Sequence, residues 1–176
     1  MQKNSQSGVE VVRILDVAAM IEHYISDAIT FWCSDLRFQG QRKALELRRS
    51  LSNPDPLILP GGLRHIFAPE KEYDREFVVR MLIKLINAHG AREVHAQGHI
   101  QCANCADLVV HCASLEEEFE FFRCELMPRG VSFLQQDLDA AYKERLIPHE
   151  VRVIGQLGEF AGLHEMGISQ AAADAA

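Results

Sequence analysis

Residues 57–97 carry a strand–helix–strand pattern that leaves few possible folds. The segment LILPGG, residues 57–62, predicts a short strand that runs into a Pro-Gly-Gly loop. A helix follows, for which Asp74 is a predicted N-cap and Gly90 a predicted left-handed terminus. The segment REVHAQGH, residues 92–99, predicts the next strand. Two strands joined by a helix form a βαβ unit, which implies a parallel pair.

The same alternation continues on both sides of this unit. An apolar run predicts a strand over residues 27–33, and Ser114 with Glu117 predicts a capping box before another helix. A further helix is predicted to start at Asp16, with Val17, Met20, Ile21, Tyr24 and Ile25 on its apolar face. The other predicted elements are a basic helix over 40–51, a helix over 131–146 and a last strand over 149–158.

These elements predict a single α/β domain with a mostly parallel central sheet flanked by helices. We expect that domain to span residues 9–168, after a disordered stretch over 1–8 and before a flexible tail over 169–176. A chain of 176 residues is long enough to bury a sizeable core as one domain.

Composition argues against several classes of function. The formal net charge of −7 disfavours a protein that tracks nucleic-acid phosphates. The sequence contains no apolar run of about 18 residues and no secretory signal pattern at its start, so we expect no membrane association and a cytoplasmic location. The five cysteines are an odd number spread over a mid-sized domain, which favours reduced thiols over a disulfide framework.

Two predicted strands end in side chains that bind metals. The first strand, in AITFWCSDLRFQG, ends at Cys33, and Asp35 and Arg37 lie just beyond it. The other strand ends in GHIQC, which contains His99 and Cys102. In parallel α/β sheets ligands bind beyond the carboxyl ends of strands. Cysteine thiolates and histidine are preferred zinc ligands, and three of them leave a fourth position open. The sequence therefore predicts a zinc site.

Other cysteines and histidines leave alternatives open. The pair Cys102 and Cys105 has the spacing of a redox-active dithiol, although a buried structural thiol is the simpler interpretation of Cys105. His95 is interpreted as a sheet residue. His65 is a candidate proton shuttle or an exposed loop histidine, and His111 is a candidate ligand or an ordinary helix residue.

The segments CSDLR and GHIQC resemble, in order and context, the two signatures of the β-class carbonic anhydrases, C-x-D-x-R and H-x-x-C. LPGGLRHI is similar to a glycine-containing segment that lies between those signatures in the family. The resemblance covers about residues 16–112. One difference is Ala103, since the family usually has glycine directly after the second cysteine ligand.

The resemblance implies roles for five residues. Cys33, His99 and Cys102 would bind Zn²⁺, while Asp35 and Arg37 would form a carboxylate–guanidinium dyad that controls the fourth zinc position. Zinc-bound hydroxide would then hydrate carbon dioxide reversibly to bicarbonate. Asp35 would either accept a hydrogen bond from that hydroxide or, in a closed form, bind the zinc itself.

The resemblance further implies a homodimer or a higher even oligomer. Two alternatives stay open on the same scaffold. One is a hydrolase of carbon disulfide or carbonyl sulfide, and the other is a catalytically silent zinc-binding homologue.

Overall fold

A five-stranded sheet in the order β2-β1-β3-β4-β5 forms the centre of the computed structural model, which describes residues 23–166. The first four strands run parallel, and β5 pairs antiparallel with β4. This confirms the predicted mostly parallel sheet. The strands are β1 (Ile29–Cys33), β2 (Asp55–Leu59), β3 (Glu93–His99), β4 (Arg152–Glu159) and β5 (Gly162–Met166).

Helices connect and cover the strands. They are α1 (Gln39–Arg48), α2 (Arg64–Phe67), α3 (Glu72–His89), α4 (Leu115–Phe121) and α5 (Met127–Lys143). Short 3₁₀ turns cover Leu36–Phe38 and Ala103–Cys105, and a π-helical turn, Phe122–Leu126, joins α4 to α5. α5 packs on β4 and against α2 and α3. None of the helices within residues 23–166 is long and apolar enough to cross a membrane.

The order of the strands decides where a ligand can bind. From β1 the chain crosses to β2 on one side, and from β3 it crosses to β4 on the other side. β1 and β3 are therefore neighbours at a topological switch point, where ligands bind beyond the carboxyl ends of the strands. All five residues of β1 are buried, as expected for a central strand covered on both faces.

The segment before β1 differs from its prediction. Residues 16–22 of the helix predicted from Asp16 lie outside the described residues, as do the predicted end segments 1–8 and 169–176. Tyr24 and Ile25 are not helical, and Ile25 is 76% exposed. The Tyr24 hydroxyl donates to the Asp55 carboxylate, and its ring lies 4.4 Å from that of His89. These contacts hold Tyr24 against the folded domain without a helix.

Helix ends were predicted only in part. Gly90 ends α3 at φ +72°, as predicted, but α3 begins at Glu72 and its N-cap is Lys71. Asp74 instead lies in the first turn, where its carboxylate accepts a hydrogen bond from the Lys71 N–H at 3.1 Å. The predicted capping box forms only in part: Ser114 Oγ accepts from the Glu117 N–H at 3.1 Å, but the Glu117 carboxylate accepts from the Ala113 N–H at 2.7 Å.

The bounds of other elements also move. The basic helix is Gln39–Arg48 rather than 40–51. β2 begins at Asp55 and includes Pro56. An edge strand tolerates proline, because the N–H groups on its outer side have no neighbouring strand to bond. The helix predicted over 131–146 is α5, which begins earlier, at Met127, and ends at Lys143. Pro128 lies in its first turn, where proline is tolerated because no backbone N–H is needed. β5 was not predicted, because its residues are half-buried or exposed and lack an apolar alternation.

Candidate metal centre

Three predicted ligands meet at the switch point. Cys33 is the last residue of β1, His99 is the last residue of β3, and Cys102 follows one turn later. Their side chains are buried, and their ligand atoms all lie within 4.8 Å of one another. Residues far apart in the chain therefore form one Cys-His-Cys cluster with the donor set that Zn²⁺ prefers.

The imidazole of His99 has the form that a metal ligand requires. Its Nδ1 donates to the Ile100 carbonyl at 2.8 Å, which leaves Nε2 with the free lone pair. His99 Nε2 is buried and has no hydrogen-bond partner among the described residues. The Phe38 ring stacks on the imidazole at 4.1 Å and restricts its rotation. A cation at the cluster would satisfy this otherwise unpaired nitrogen, so the residues fit a bound metal.

The two thiols bind their protons tightly when no cation is present. A hydrogen bond with the Cys102 thiol, together with burial, raises the pKa of Cys33 to about 12. A hydrogen bond with the neighbouring Cys105 thiol is the largest cause that raises the pKa of Cys102 to about 11. Without a cation both thiols are protonated at neutral pH. A bound divalent ion reverses this, because it stabilises the thiolates that coordinate it.

A glycine loop closes the cluster on the β2 side. The Gly61 N–H donates to Cys33 Sγ at 3.3 Å. Gly62 has φ +51°, and a Cβ there would lie 2.7 Å from the Gln97 carbonyl oxygen and 2.9 Å from the Cys33 nitrogen. The predicted Pro-Gly-Gly loop is therefore the segment whose backbone lies directly against the metal ligand.

Asp35 and Arg37 form an ion pair beside the cluster. Arg37 Nε lies 3.0 and 3.1 Å from the two Asp35 oxygens, and Nη2 lies 2.6 Å from Oδ2. The same Nη2 donates to the Gln101 carbonyl at 2.8 Å. The hydrogen bonds from Arg37 hold the pKa of Asp35 below its usual range. Among the described residues, Asp35 is not part of the converging ligand group; both of its carboxylate oxygens contact the guanidinium instead.

Two large apolar side chains near Arg37 are exposed. Leu36 is 86% exposed and Phe160 is 54% exposed. The Arg37 guanidinium lies over the rings of Phe38 and Phe160 at 5.7 and 5.6 Å. The surface around Arg37 thus combines apolar side chains with one paired cation.

The remaining sequence candidates lie outside the ligand group. Cys105 is buried on the 3₁₀ turn next to Cys102, and Ala103 is exposed at the start of that turn. His65 Nε2 donates to the Pro60 carbonyl at 2.9 Å, and exposed His111 packs edge-on against Phe121 at 4.6 Å. Neither histidine is among the converging ligand atoms.

Sequence reasoning missed two polar residues that support the site. Glu118 belongs to an acidic run in the first turn of α4, yet it is buried and accepts the Gln101 N–H at 2.6 Å. Gln101 has φ +52°, so this bond holds an unusual backbone conformation just before Cys102. Gln97 hydrogen-bonds to the Cys33 backbone. For Gln97 the only signal in the sequence was a polar residue inside the predicted strand over 92–99.

Solved β-carbonic anhydrases share this fold. The β-carbonic anhydrase CafA of Aspergillus fumigatus aligns with a TM-score of 0.54 at 13% identity, over 86% of this chain and 81% of that one. A variant of CafD from the same fungus aligns with a TM-score of 0.51 at 10% identity, over 82% of this chain and 90% of that one. No family model and no curated protein matches the sequence. At these identities the likeness establishes the fold.

Proposed function

We propose that this protein is a zinc enzyme that reversibly hydrates carbon dioxide to bicarbonate. The observation that carries the proposal is the buried meeting of Cys33, His99 and Cys102, with His99 Nε2 unpaired among the described residues. The cluster lies at the switch point of a sheet shared with solved β-carbonic anhydrases.

In this proposal the three clustered side chains hold the zinc and leave a fourth position open. The ion would supply the nucleophile, because zinc lowers the pKa of a coordinated water to about 7. The glycine loop contacts the Cys33 sulfur and the Phe38 ring stacks on the imidazole, so both ligands are held in place before the metal would bind.

Asp35 and Arg37 would control the proton at the fourth position. Arg37 contacts both oxygens of Asp35, which keeps the carboxylate ionised. An ionised Asp35 can accept a hydrogen bond and orient the attacking oxygen. The exposed apolar side chains of Leu36 and Phe160 lie beside the dyad and suit an uncharged substrate such as carbon dioxide. We propose that the dyad works in its open form, and the contacts between Arg37 and Asp35 support this.

A metal assay combined with stopped-flow hydration tests the proposal. We expect one zinc per chain and rapid acidification when carbon dioxide is mixed with the purified protein. Cys102→Ser should lose both metal and turnover, whereas Cys105→Ser should retain both, because Cys105 is outside the converging group. Equal behaviour of the two variants, or a wild-type protein without zinc, would contradict the proposed site.

Two further measurements separate the related possibilities. Carbon disulfide and carbonyl sulfide are offered in parallel, with sulfide release as the readout. Turnover of these substrates without carbon dioxide hydration would replace the proposed substrate, and zinc binding without any turnover would indicate a silent homologue. Light scattering of the purified protein tests the proposed homodimer or higher even oligomer.

A further inference from the structure

A layer of polar side chains lies buried on one face of the sheet, next to the metal centre. Its members are at most 1% exposed: Thr30, His95, Gln97 and Gln156. Side chains alternate along a strand, so His95, Gln97 and His99 point to the same face of β3. Gln97 is therefore the polar neighbour that directly precedes the imidazole ligand on that face.

Gln97 connects the two segments that surround the Cys33 ligand. Its side-chain Oε1 accepts the Cys33 N–H at 3.3 Å, and its backbone carbonyl accepts the Leu63 N–H at 3.1 Å. The loop held by this second bond contains Gly61, whose N–H donates to Cys33 Sγ. One residue thus fixes both the backbone of the ligand and the loop that contacts its sulfur.

The contact with Cys33 also fixes the orientation of the amide. Because the Cys33 nitrogen is a donor, it must face Oε1, and this leaves Gln97 Nε2 at the other end. Nε2 is buried without a partner among the described residues, beside the space left by the missing side chain of Gly158. A buried unpaired N–H is unfavourable. A hydrocarbon at position 97 would avoid that cost, but it would leave the Cys33 N–H unpaired.

We propose that Gln97 is a positioning residue that aims the Cys33 thiolate at the metal. The inference rests on the proposed zinc site and extends it to a residue that does not touch the ion. Loss of the Oε1 acceptor should let the end of β1 relax, so that Cys33 coordinates less well. Partners of metal ligands typically change metal affinity about 10- to 100-fold when they are replaced.

Two substitutions at position 97 separate the hydrogen bond from the volume of the side chain. Gln97→Met keeps the length but removes the acceptor, and Gln97→Glu keeps an acceptor. Gln156→Met is the matched control, because Gln156 is the register partner of Gln97 on β4 and is equally buried. Its Nε2 lies 3.4 Å from His95 Nδ1, in a contact that does not involve Cys33.

The readouts are zinc affinity by chelator competition, the thiolate-to-cobalt charge-transfer band of the Co²⁺ form, and thermal unfolding of the metal-free protein. We expect Gln97→Met to weaken zinc binding about tenfold and to shift the cobalt band. Gln97→Glu should stay within about threefold of wild type. Gln156→Met should lower the unfolding temperature without changing the cobalt band.

The inference is overturned if Gln97→Met matches Gln156→Met in affinity and spectrum, or if Gln97→Glu loses as much affinity as Gln97→Met. If Gln97→Met does not fold, Gln97→Asn withdraws the same acceptor by one methylene, and unchanged zinc affinity in that variant overturns the inference. The failure of this inference can be told apart from the failure of the proposed function. If wild-type protein binds no zinc, the proposed function is refuted. If wild-type protein binds zinc and Gln97→Met binds it equally well, only the role of Gln97 is refuted.

Discussion

Gly62→Ala tests whether the glycine loop is fitted to the metal ligand, and two other glycines serve as controls. Gly62 has φ +51°, and its missing Cβ would lie 2.7 and 2.9 Å from two backbone atoms, the Gln97 oxygen and the Cys33 nitrogen. Gly90 also has a positive φ, +72°, but nothing lies within 4 Å of its Cβ position. Gly40 lies in α1 with open space around it.

The structure gives a different magnitude for each substitution. Gly40→Ala should stabilise the protein by about 0.5 kcal/mol, because alanine loses less backbone entropy in a helix. Gly90→Ala should cost about 1–2 kcal/mol, the penalty of the left-handed conformation alone. Gly62→Ala carries the same penalty and an added clash of about 1–3 kcal/mol against backbone that cannot rotate away. Its total cost is therefore about 2–5 kcal/mol.

Urea unfolding of the metal-free variants measures these free energies. A loss of 3 kcal/mol at a slope of about 2 kcal/mol per molar moves the midpoint down by about 1.5 M. Zinc affinity is the second readout, because the clash at position 62 displaces the Cys33 backbone whereas the change at Gly90 does not. Gly62→Ala that costs no more than Gly90→Ala, or that binds zinc like wild type, would refute this reasoning.

Two other perturbations follow from the charges of the site. The raised pKa values of Cys33 and Cys102 mean that zinc displaces a proton from each thiol, so zinc affinity should rise about 100-fold per pH unit between pH 7 and 8. Chelator competition at the two pH values measures this, and a pH-independent affinity would contradict it. Arg37→Gln removes the partner that lowers the pKa of Asp35, so the acid limb of the hydration rate should move to higher pH and turnover should fall about 10- to 100-fold. Arg123→Gln is the control, because Arg123, on the π-helical turn, forms an exposed pair of similar geometry with Glu120 of α4. Equal pH–rate profiles for the two variants would exclude a role for the dyad.

Local patterns were informative where burial and chemistry coincide. The apolar run before Cys33 predicted a central strand, because a strand covered on both faces contains few polar residues. Gly90 predicted the end of α3, since only a residue that tolerates positive φ fits there. The fold class followed from the alternation of such segments.

Patterns failed where a distant contact overrides a local preference. Tyr24 lies outside a helix because Asp55 and His89 hold it against the domain. Glu118 sits in an acidic run, yet it is buried because the Gln101 N–H needs an acceptor. β5 forms because β4 offers an open edge, a condition that its own residues do not reveal.

The sequence by itself determined the identity of the candidate ligands and the strand ends that carry them, because a thiol and an imidazole bind metal through their own chemistry. Only the tertiary structure decided that Cys33, His99 and Cys102 meet, because the meeting depends on the parallel pairing of β1 with β3. It also decided that Arg37 holds Asp35 and that Gln97 holds Cys33. A hydrogen bond between residues remote in the chain leaves no local pattern, since its geometry exists only after the strands have paired.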